Sequence, residues 1–273
     1  MGLAARLSLG SMSEGSARET FRLVTAGLTD RGQVRAQNED HLLVRPELGL
    51  LVVADGMGGH NAGRLASILV TKSIANFFEA TEIDADGWPP AERAGPRRLC
   101  EAVIRANQNV FEISSTHKEH EGMGSTVVGL YAPPGEAAIH IAHVGDSRCY
   151  RLRERAFEQM TRDHSLLNEV RSLRPSITET ELARLPKNVV TRALGMKMTV
   201  EVDQRTEPLR DGDVYLLCSD GLTGMVETEE IERLLSEHPD PTDVCRRLVS
   251  EANKAGGTDN ISALVVLVQA APP

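Results

Sequence analysis

The stretch that decides the fold is Leu50-Leu51-Val52-Val53-Ala54-Asp55-Gly56-Met57-Gly58-Gly59-His60. Its apolar half is short, rich in Val and Leu and closed by glycine, which predicts a buried strand. A carboxylate at the end of such a strand, here Asp55, is held rigidly at the rim of a sheet, where it can bind a hard cation. The glycines let the backbone approach a ligand closely and offer a carbonyl oxygen. Taken alone, the stretch is equally typical of an ordinary turn between a strand and a helix.

Further acidic residues stand at the ends of other predicted strands. One apolar run ends shortly before Asp220, and another begins shortly after Asp259. Upstream, Glu39 and Asp40 precede a short apolar run. A single Asp-Gly is a common turn signal, but acids that recur at strand ends along the whole chain favour one shared site.

Composition limits the class of protein. A chain of 273 residues with a net charge of −9 can bury one large core, and its acidic excess argues against a nucleic-acid partner. The longest apolar runs reach about eight residues, against about 20 for a membrane-spanning helix, so no membrane span is expected. The cysteines form no CxxC pair and three of them lie in apolar segments, which predicts reduced thiols in a cytoplasmic protein.

The order of apolar patterns predicts a single α+β domain over residues 21–270, preceded by a disordered leader at 1–20. Helices are expected at 62–80, 99–114, 229–236 and 243–255, and strands at 25–29, 41–44, 125–131, 138–144, 148–152 and 261–268, with others starting at Val200 and Val214. A polar, weakly periodic segment at 162–186, with a short helix near 169–173, is typical of a functional flap.

Two local features of the helical layer also follow from the sequence. The first helix is expected to bury a stripe formed by Leu65, Ile68, Leu69 and Ile74. Residues 81–98 contain several Asp, Gly and Pro residues and are interpreted as a surface connection.

The acidic residues have a shared chemical meaning if Glu39, Asp55, Asp220 and Asp259 converge. Their charges would raise one another's pKa unless cations neutralise them, and oxygen ligands alone favour two Mg²⁺ or Mn²⁺ ions over zinc. Two such ions roughly 4 Å apart can bind a phosphoryl group and lower the pKa of a water molecule between them. Phosphate-monoester hydrolysis, among the slowest uncatalysed reactions, needs this activation. Arg35 is the candidate to hold the phosphate.

These residues lie in a series of motifs that resembles one known family. The stretches are Thr29-Asp30-Arg31-Gly32, Asn38-Glu39-Asp40, Val53-Ala54-Asp55-Gly56-Met57-Gly58-Gly59-His60, Gly124-Ser125-Thr126, Val144-Gly145-Asp146-Ser147-Arg148, Thr161-Arg162-Asp163-His164, Ser219-Asp220-Gly221-Leu222 and Thr258-Asp259-Asn260. Their order resembles the metal-dependent protein phosphatases of the 2C (PPM) type, closest to the bacterial branch. The resemblance implies hydrolysis of phosphoserine and phosphothreonine in proteins. It also implies a four-layer α/β/β/α sandwich, with two antiparallel sheets flanked by helix pairs.

The resemblance also assigns roles to single residues. It implies that Asp55 bridges two metal ions and that the Gly56 carbonyl joins one of them. Asp220 and Asp259 would hold the second ion, and Glu39 would act through water. Asp146 would form a third-ion site with Asp220, although Gly145-Asp146-Ser147 is also typical of a plain hairpin turn.

The same resemblance implies the remaining parts of the reaction. Arg35 would bind the substrate phosphate, and residues 162–190 would include the flap. The expected partners are phosphoprotein substrates, among them a serine/threonine protein kinase whose work the enzyme reverses, and the expected state is a monomer.

Met57 departs from the eukaryotic pattern, which has a His directly after Asp-Gly that is often assigned as general acid. His60 is near, but its position at the start of a helix is more typical of a structural residue. A metal-bound water could protonate the leaving group instead, so the proton donor stays open. Asp40 and Asp163 are interpreted as loop ties.

Two other classes of protein remain open. A non-catalytic relative would bind phosphoprotein without hydrolysis, and the loss of a metal-binding aspartate would mark it. Another two-metal hydrolase, such as a nuclease, is disfavoured by the acidic charge.

Overall fold

The computed structural model describes residues 21–59, 61–83, 95–186, 189–237 and 240–271. The predicted leader and His60 lie outside the described residues. The strands are β1 (Phe21–Asp30), β2 (Asp40–Arg45), β3 (Leu50–Met57), β4 (Gly124–Ser125), β5 (Val127–Tyr131), β6 (Ala138–Val144), β7 (Arg148–Arg153), β8 (Ala156–Gln159), β9 (Asp203–Pro208), β10 (Val214–Cys218) and β11 (Ile261–Ala270). The helices are α1 (Ala62–Ile83), α2 (Gly95–Thr116), α3 (Leu166–Leu173), α4 (Glu179–Leu182), α5 (Asp220–Thr223), α6 (Thr228–Glu237) and α7 (Pro241–Lys254).

The strands form two sheets in which every paired neighbour is antiparallel. The first sheet has the order β1-β11-β10-β7-β8, and the second has the order β2-β3-β5-β6-β9, with β4 paired to the end of β3. Helices α1 and α2 pack on the second sheet, and α7 packs on the first with α6 beside it. The predicted four-layer α/β/β/α sandwich is confirmed.

Strand β3 shows why its sequence is a continuous apolar run. Leu50, Val52 and Ala54 face α1 and α2, whereas Leu51 and Val53 face the opposite sheet. All five are fully buried. Since both faces of the strand lie in a core, no position can be polar, and each large side chain contributes about 1.5–3 kcal/mol by leaving water. Burial on both faces fixes the end of the strand, and with it Asp55.

The buried stripe of α1 differs from the predicted one. Ile74 is fully buried, but Leu65, Ile68 and Leu69 are only half-buried. The stripe that packs on the core is formed instead by Ala62, Ala66, Val70, Ile74, Phe77 and Phe78. Small alanines let the helix approach the sheet closely, so the larger leucines lie at the edge of the contact rather than at its centre.

The predicted surface connection at 81–98 is wrong at both ends, where residues belong to α1 and α2, and its middle at 84–94 lies outside the described residues. Arg98 is only 6% exposed, because its Nη2 donates to the Phe78 carbonyl (2.9 Å) and its Nε donates to Thr81 Oγ1 (3.0 Å). The guanidinium also lies 4.5 Å from the centre of the Phe78 ring. Hydrogen bonds and ring stacking together make the burial of this charge tolerable.

Smaller differences concern the edges of elements. Strand β9 begins at Asp203 rather than Val200, because Val200 and Val202 pack against the α1–α2 core instead of pairing. The short strand β8 has no apolar run and was not predicted. No helix in the described ranges is both long and apolar enough to cross a membrane.

Candidate active site

The antiparallel pairing brings distant acids to one end of the sandwich. Asp40 lies directly opposite Asp55 in the β2–β3 pair. In the other sheet β10 runs towards Asp220 while its neighbour β11 starts just after Asp259, with Cys218 opposite Ala263. Residues far apart in sequence therefore meet because neighbouring strands end and begin at the same rim.

A cavity of about 460 Å³ opens at this rim. The structure brings all seven predicted site residues into its lining, namely Arg35, Glu39, Asp55, Gly56, Asp146, Asp220 and Asp259. Met57, Thr126, Asn260 and two flap residues, Val189 and Val190, complete the wall with Gly58. Five acids and a single basic side chain thus face one space among the lining residues that the structure describes.

Three of the acids in this cavity, Asp55, Asp146 and Asp220, have a raised pKa. Burial and the neighbouring Asp40 raise the pKa of Asp55 well above its usual value. Burial and the charge of Asp220 raise the pKa of Asp146 to about 7. Burial, followed by the charge of Asp259, raises the pKa of Asp220 as well. Shifts in this direction mean that the protein alone does not balance the negative charge, so bound cations would stabilise the ionised form.

Arg35 is the only basic group described in the cavity lining, and it contacts the acid cluster directly. Its Nη2 lies 2.6 Å from Asp259 Oδ2 and donates a hydrogen bond to it. This hydrogen bond is the main reason that the pKa of Arg35 is raised. One guanidinium cannot neutralise five carboxylates, and it is half exposed, so it can also reach a ligand at the cavity mouth.

Asp40 was interpreted from sequence only as a loop tie, yet it lies at the base of the acid cluster. It is 6% exposed, and its Oδ2 accepts hydrogen bonds from Ser219 Oγ (2.8 Å) and Ser262 Oγ (2.7 Å). Its Oδ1 is buried and has no hydrogen-bond partner among the described atoms. A buried orphan carboxylate oxygen is costly unless a cation or water meets it. The β2–β3 register, which places Asp40 opposite Asp55, is the signal that could have revealed it.

Asn260 is a second residue of the site that sequence reasoning did not single out. Its Oδ1 accepts a hydrogen bond from the Glu39 backbone (2.8 Å), while its Nδ2 donates to the carbonyls of Arg31 and Gln37 (both 2.9 Å). One amide side chain therefore holds the loop that carries Glu39 and Arg35 against the start of β11. Its position directly after Asp259 was the available signal.

The backbone around Asp55 is fixed by its neighbours in β4 and β5. Thr126 donates its backbone N–H to the Asp55 carbonyl (2.8 Å), and Asp55 donates its own N–H to Thr126 Oγ1 (3.3 Å). The next position must be glycine, because a Cβ on Gly56 would lie 1.9 Å from the Gly63 carbonyl oxygen. This close approach between β3 and α1 leaves Gly56 in the wall of the cavity.

Met57 lies in the cavity wall, and its thioether has no proton to donate. His60, the alternative, lies outside the described residues. The structure therefore adds no side-chain proton donor at this point of the wall.

A second group of metal-type ligands lies outside the cavity, where His143, His164 and Asp203 place ligand atoms within 4.8 Å of one another. Burial lowers the pKa of both imidazoles, so both rings are neutral at pH 7. His164 Nδ1 accepts a hydrogen bond from the Gly145 N–H (3.0 Å) and so already has a partner. Arg192 Nη1 lies 2.6 Å from Asp203 and 3.1 Å from His164 Nε2. A guanidinium that already contacts these two ligand groups disfavours a cation here.

The oxygen-rich cavity is therefore the group that fits hard divalent cations. Its described lining offers five carboxylates and no His or Cys side chain, and Gly56 lies in the same wall. This donor set is the one that Mg²⁺ and Mn²⁺ prefer.

Comparisons with known proteins identify the family of this chain. The sequence model of the protein phosphatase 2C family matches residues 31–263. The serine/threonine phosphatase stp of Listeria monocytogenes is 34% identical over 246 residues, covering 87% of this chain and 93% of that protein. The protein phosphatase PhpP of Streptococcus pneumoniae is also 34% identical over 246 residues, covering 88% of this chain and 95% of that protein.

Solved structures show the same architecture. The catalytic domain of the serine/threonine protein phosphatase PstP, crystallised with two manganese ions, matches with a TM-score of 0.78 and 33% identity, covering 92% of this chain and 100% of that chain. The Mycobacterium tuberculosis phosphatase PstP/Ppp matches with a TM-score of 0.79 and 32% identity, covering 90% of this chain and 99% of that chain. The chain therefore belongs to the protein phosphatase 2C family.

Proposed function

We propose that the acidic cavity is the hydrolytic centre of a metal-dependent serine/threonine protein phosphatase, built within a single catalytic domain at 21–270. The observation that carries this conclusion is the convergence of Glu39, Asp55, Asp220 and Asp259 in one cavity with Arg35. Four acids from four separate strand ends share this space, and burial there disfavours the charges of Asp55 and Asp220. Such an arrangement costs stability and is maintained because it binds cations.

The acids divide naturally between two ions. Asp55 would be shared between them, the Gly56 carbonyl would join one of them, and Glu39 would act through water. Asp220 and Asp259 would hold the second ion, and Asp146, with Asp220, would hold a third. When bound, the ions supply charge that stabilises the phosphoryl group and lower the pKa of the attacking water.

The donor set limits the metal to two candidates. All-oxygen sites suit both Mn²⁺ and Mg²⁺. The PstP catalytic domain was crystallised with two manganese ions, which favours manganese for the test in solution. Magnesium stays an equal candidate in the cell.

Arg35 would recognise the substrate phosphate. Its guanidinium is half exposed at the mouth of the cavity and is oriented by Asp259. A planar fork with several N–H donors matches two phosphate oxygens, so Arg35 would fix the phosphorus atom above the acid cluster.

The flap at 162–190 would shape the substrate side of the cavity. It is not structureless, because α3 and α4 lie within it, and its returning end places Val189 and Val190 in the cavity wall. Val189 is 38% exposed, so an apolar surface borders the phosphate position. We expect this surface to contact protein chain next to the phosphorylated residue.

The catalytically silent alternative has no support in the site, because none of the predicted acids is lost. The natural substrates would be phosphoproteins, among them a serine/threonine protein kinase whose phosphorylation the enzyme reverses. All four cysteines are free thiols, which suits the reducing cytoplasm. We infer that the enzyme acts there as a monomer.

Phosphate release from a phosphothreonine peptide, with Mn²⁺ and with excess chelator, tests this function. We expect release with Mn²⁺ and none with chelator, and no release by Asp55→Asn under either condition. Calorimetry of Mn²⁺ binding is the control. If the metal binds and no phosphate is released, the protein is a binding module rather than an enzyme.

A further inference from the structure

The turn that carries Asp146 is bonded to the first residues of the flap. His164 holds Gly145, the residue directly before Asp146, through two hydrogen bonds. The His164 backbone N–H donates to the Gly145 carbonyl (2.9 Å), and the Gly145 N–H donates to His164 Nδ1 (3.0 Å). Gly145 has a φ of +111°, and a Cβ there would lie 2.5 Å from Thr126. The turn therefore depends on glycine, and its backbone groups are paired by His164.

Asp163 holds the other side of the same turn. Its carboxylate accepts from Arg148 Nε (2.9 Å to Oδ1) and Arg148 Nη2 (2.7 Å to Oδ2), a bidentate pair. Gln159 Nε2 also donates to Asp163 Oδ1 (2.9 Å). Because the Asp163 side chain is only 10% exposed, this pair is shielded from water and positions Arg148, two residues after Asp146, firmly.

His164 and the nearby Leu166 also join the beginning of the flap to its end. The His164 carbonyl accepts from the Thr191 N–H (2.8 Å), and Leu166 donates its N–H to the Val189 carbonyl (2.9 Å). Val189 and Val190 line the cavity beside Asp146. The Asp146 turn and the apolar wall of the flap are consequently parts of one hydrogen-bonded unit.

We propose that Asp163 and His164 are positioning residues that hold Asp146 in the cavity and link its position to the flap wall. The inference rests on the proposed role of Asp146 in binding a third ion. Neither residue lines the cavity, so each acts through the turn and not on the substrate. Groups that orient metal ligands from behind affect metal affinity strongly, because a carboxylate must be placed accurately to bind.

A pair of variants separates the Gly145 hydrogen bond from the bulk of the imidazole. His164→Ala removes the acceptor for the Gly145 N–H. His164→Asn keeps an acceptor, because the Asn side-chain oxygen lies at about the same distance from the backbone as the His Nδ1 atom. We expect His164→Ala to weaken the weakest Mn²⁺-binding step about tenfold to a hundredfold, and His164→Asn to stay close to wild type.

A second pair of variants controls for general loss of stability. Asp163→Asn breaks the bidentate pair with Arg148. Asp213→Asn breaks an equally well-formed pair with Arg153, at the far end of the same strand, β7. We expect only Asp163→Asn to weaken the weakest Mn²⁺ step, even if both variants unfold at lower temperature.

The readouts are Mn²⁺ binding to the full chain by calorimetry and the exchange rate of the Gly145 amide proton by NMR. His164→Ala should accelerate that exchange and leave the tighter Mn²⁺ steps unchanged. If Asp146→Asn removes the weakest step while His164→Ala and Asp163→Asn leave it within about twofold, the positioning role is wrong and the third-ion assignment stands. If Asp213→Asn weakened the weakest Mn²⁺-binding step as much as Asp163→Asn does, the proposal would also be overturned. If Asp146→Asn removes no ion, the third-ion assignment is wrong, and the positioning role with it, while the tighter steps still test the two-ion centre.

Discussion

Strand β10 has an aspartate just beyond each end, and the two ends of the sandwich treat these carboxylates in opposite ways. Asp213, before the strand, is 1% exposed, and Arg153 donates to both of its oxygens at 2.7 Å. Asp220, after the strand, shares a cavity with four other acids and with Arg35 as the only basic side chain described in its lining. The distance between the two environments is the length of one strand.

The comparison separates a charge that stabilises the fold from charges that serve function. At the Asp213 end each buried charge has a partner, so removing one partner leaves the other uncompensated. At the Asp220 end burial and repulsion by neighbouring carboxylates raise the pKa of Asp220 and Asp55, which means that ionising these two costs folding free energy. A protein keeps such a cost where an external cation removes it, and this end is where the family-specific motifs lie.

The largest expected effect is on activity and comes from substitutions at the Asp220 end. Asp55→Asn or Asp220→Asn should lower kcat by about a thousandfold or more, because the stabilisation that bound metal supplies is worth several kcal/mol and each 1.36 kcal/mol is tenfold in rate. Since each change also removes a repelled charge, the metal-free protein should unfold at the same or a higher urea concentration. Steady-state kinetics with Mn²⁺ and urea unfolding in chelator measure the two effects. Wild-type turnover in either variant would contradict the two-ion centre.

The opposite result is expected at the Asp213 end. Asp213→Asn should lower the free energy of unfolding by about 3 kcal/mol, because Arg153 is left as a largely buried cation without its partner. With the protein still folded, kcat and KM should match wild type. Urea unfolding and steady-state kinetics on the same preparation test this. Unchanged stability would mean that the pair is worth no more than an exposed ion pair.

Much of this contrast could be predicted from the sequence, since acids at the ends of apolar runs identify the rim of a sheet. The pattern placed Asp55, Asp220 and Asp259 at that rim because both faces of their strands are buried and the runs are therefore unmistakable. Asp40 was not recognised, because its role depends on lying opposite Asp55, and pairing register is a property of the folded sheet.

Other parts of the fold depend on packing that no local pattern records. The buried stripe of α1 is formed mostly by alanine, valine and phenylalanine. The prediction that Leu65 and Leu69 are buried in this stripe was therefore wrong. Arg98 lies in a segment of polar appearance, yet hydrogen bonds to Thr81 and Phe78 make it a core residue. Such hydrogen bonds join residues that lie far apart in the chain, so a local sequence pattern does not record them.

Arg35 is the only cation described in the lining at the acidic end. Arg35→Ala should raise KM for a phosphopeptide about tenfold to a hundredfold with a smaller change in kcat, since a charged hydrogen bond contributes about 1.5–3 kcal/mol. Arg35→Lys keeps the charge but loses the planar fork of N–H donors, so its KM should lie between those of the wild type and Arg35→Ala. An unchanged KM in Arg35→Ala would show that another group holds the phosphate.

The smallest expected effect is the pH dependence that Asp40, at the acidic end, gives to the stability of the metal-free protein. Burial raises the pKa of Asp40 to about 7, above its unfolded value near 3.8. Between these values the native state holds a proton that the unfolded state has lost, so Asp40 makes stability fall as pH rises, by at most about 1.4 kcal/mol per pH unit. Above pH 7 this dependence ends.

The prediction is a comparison of Asp40→Asn with wild type, both in chelator, by urea unfolding at pH 5.5 and 6.5. Other carboxylates add their own slopes, and Asp203, although partly buried, has a lowered pKa because Arg192 donates to it. The slopes of carboxylates that do not interact with Asp40 cancel in the difference, and the slope of Asp55 falls in the variant too, because Asp40 helps to raise the Asp55 pKa. We expect Asp40→Asn to gain stability over wild type by about 1 kcal/mol across this interval. If the stability of the wild type changed with pH in the same way as that of Asp40→Asn, Asp40 would already be ionised. A partner for its buried Oδ1 would then exist without metal.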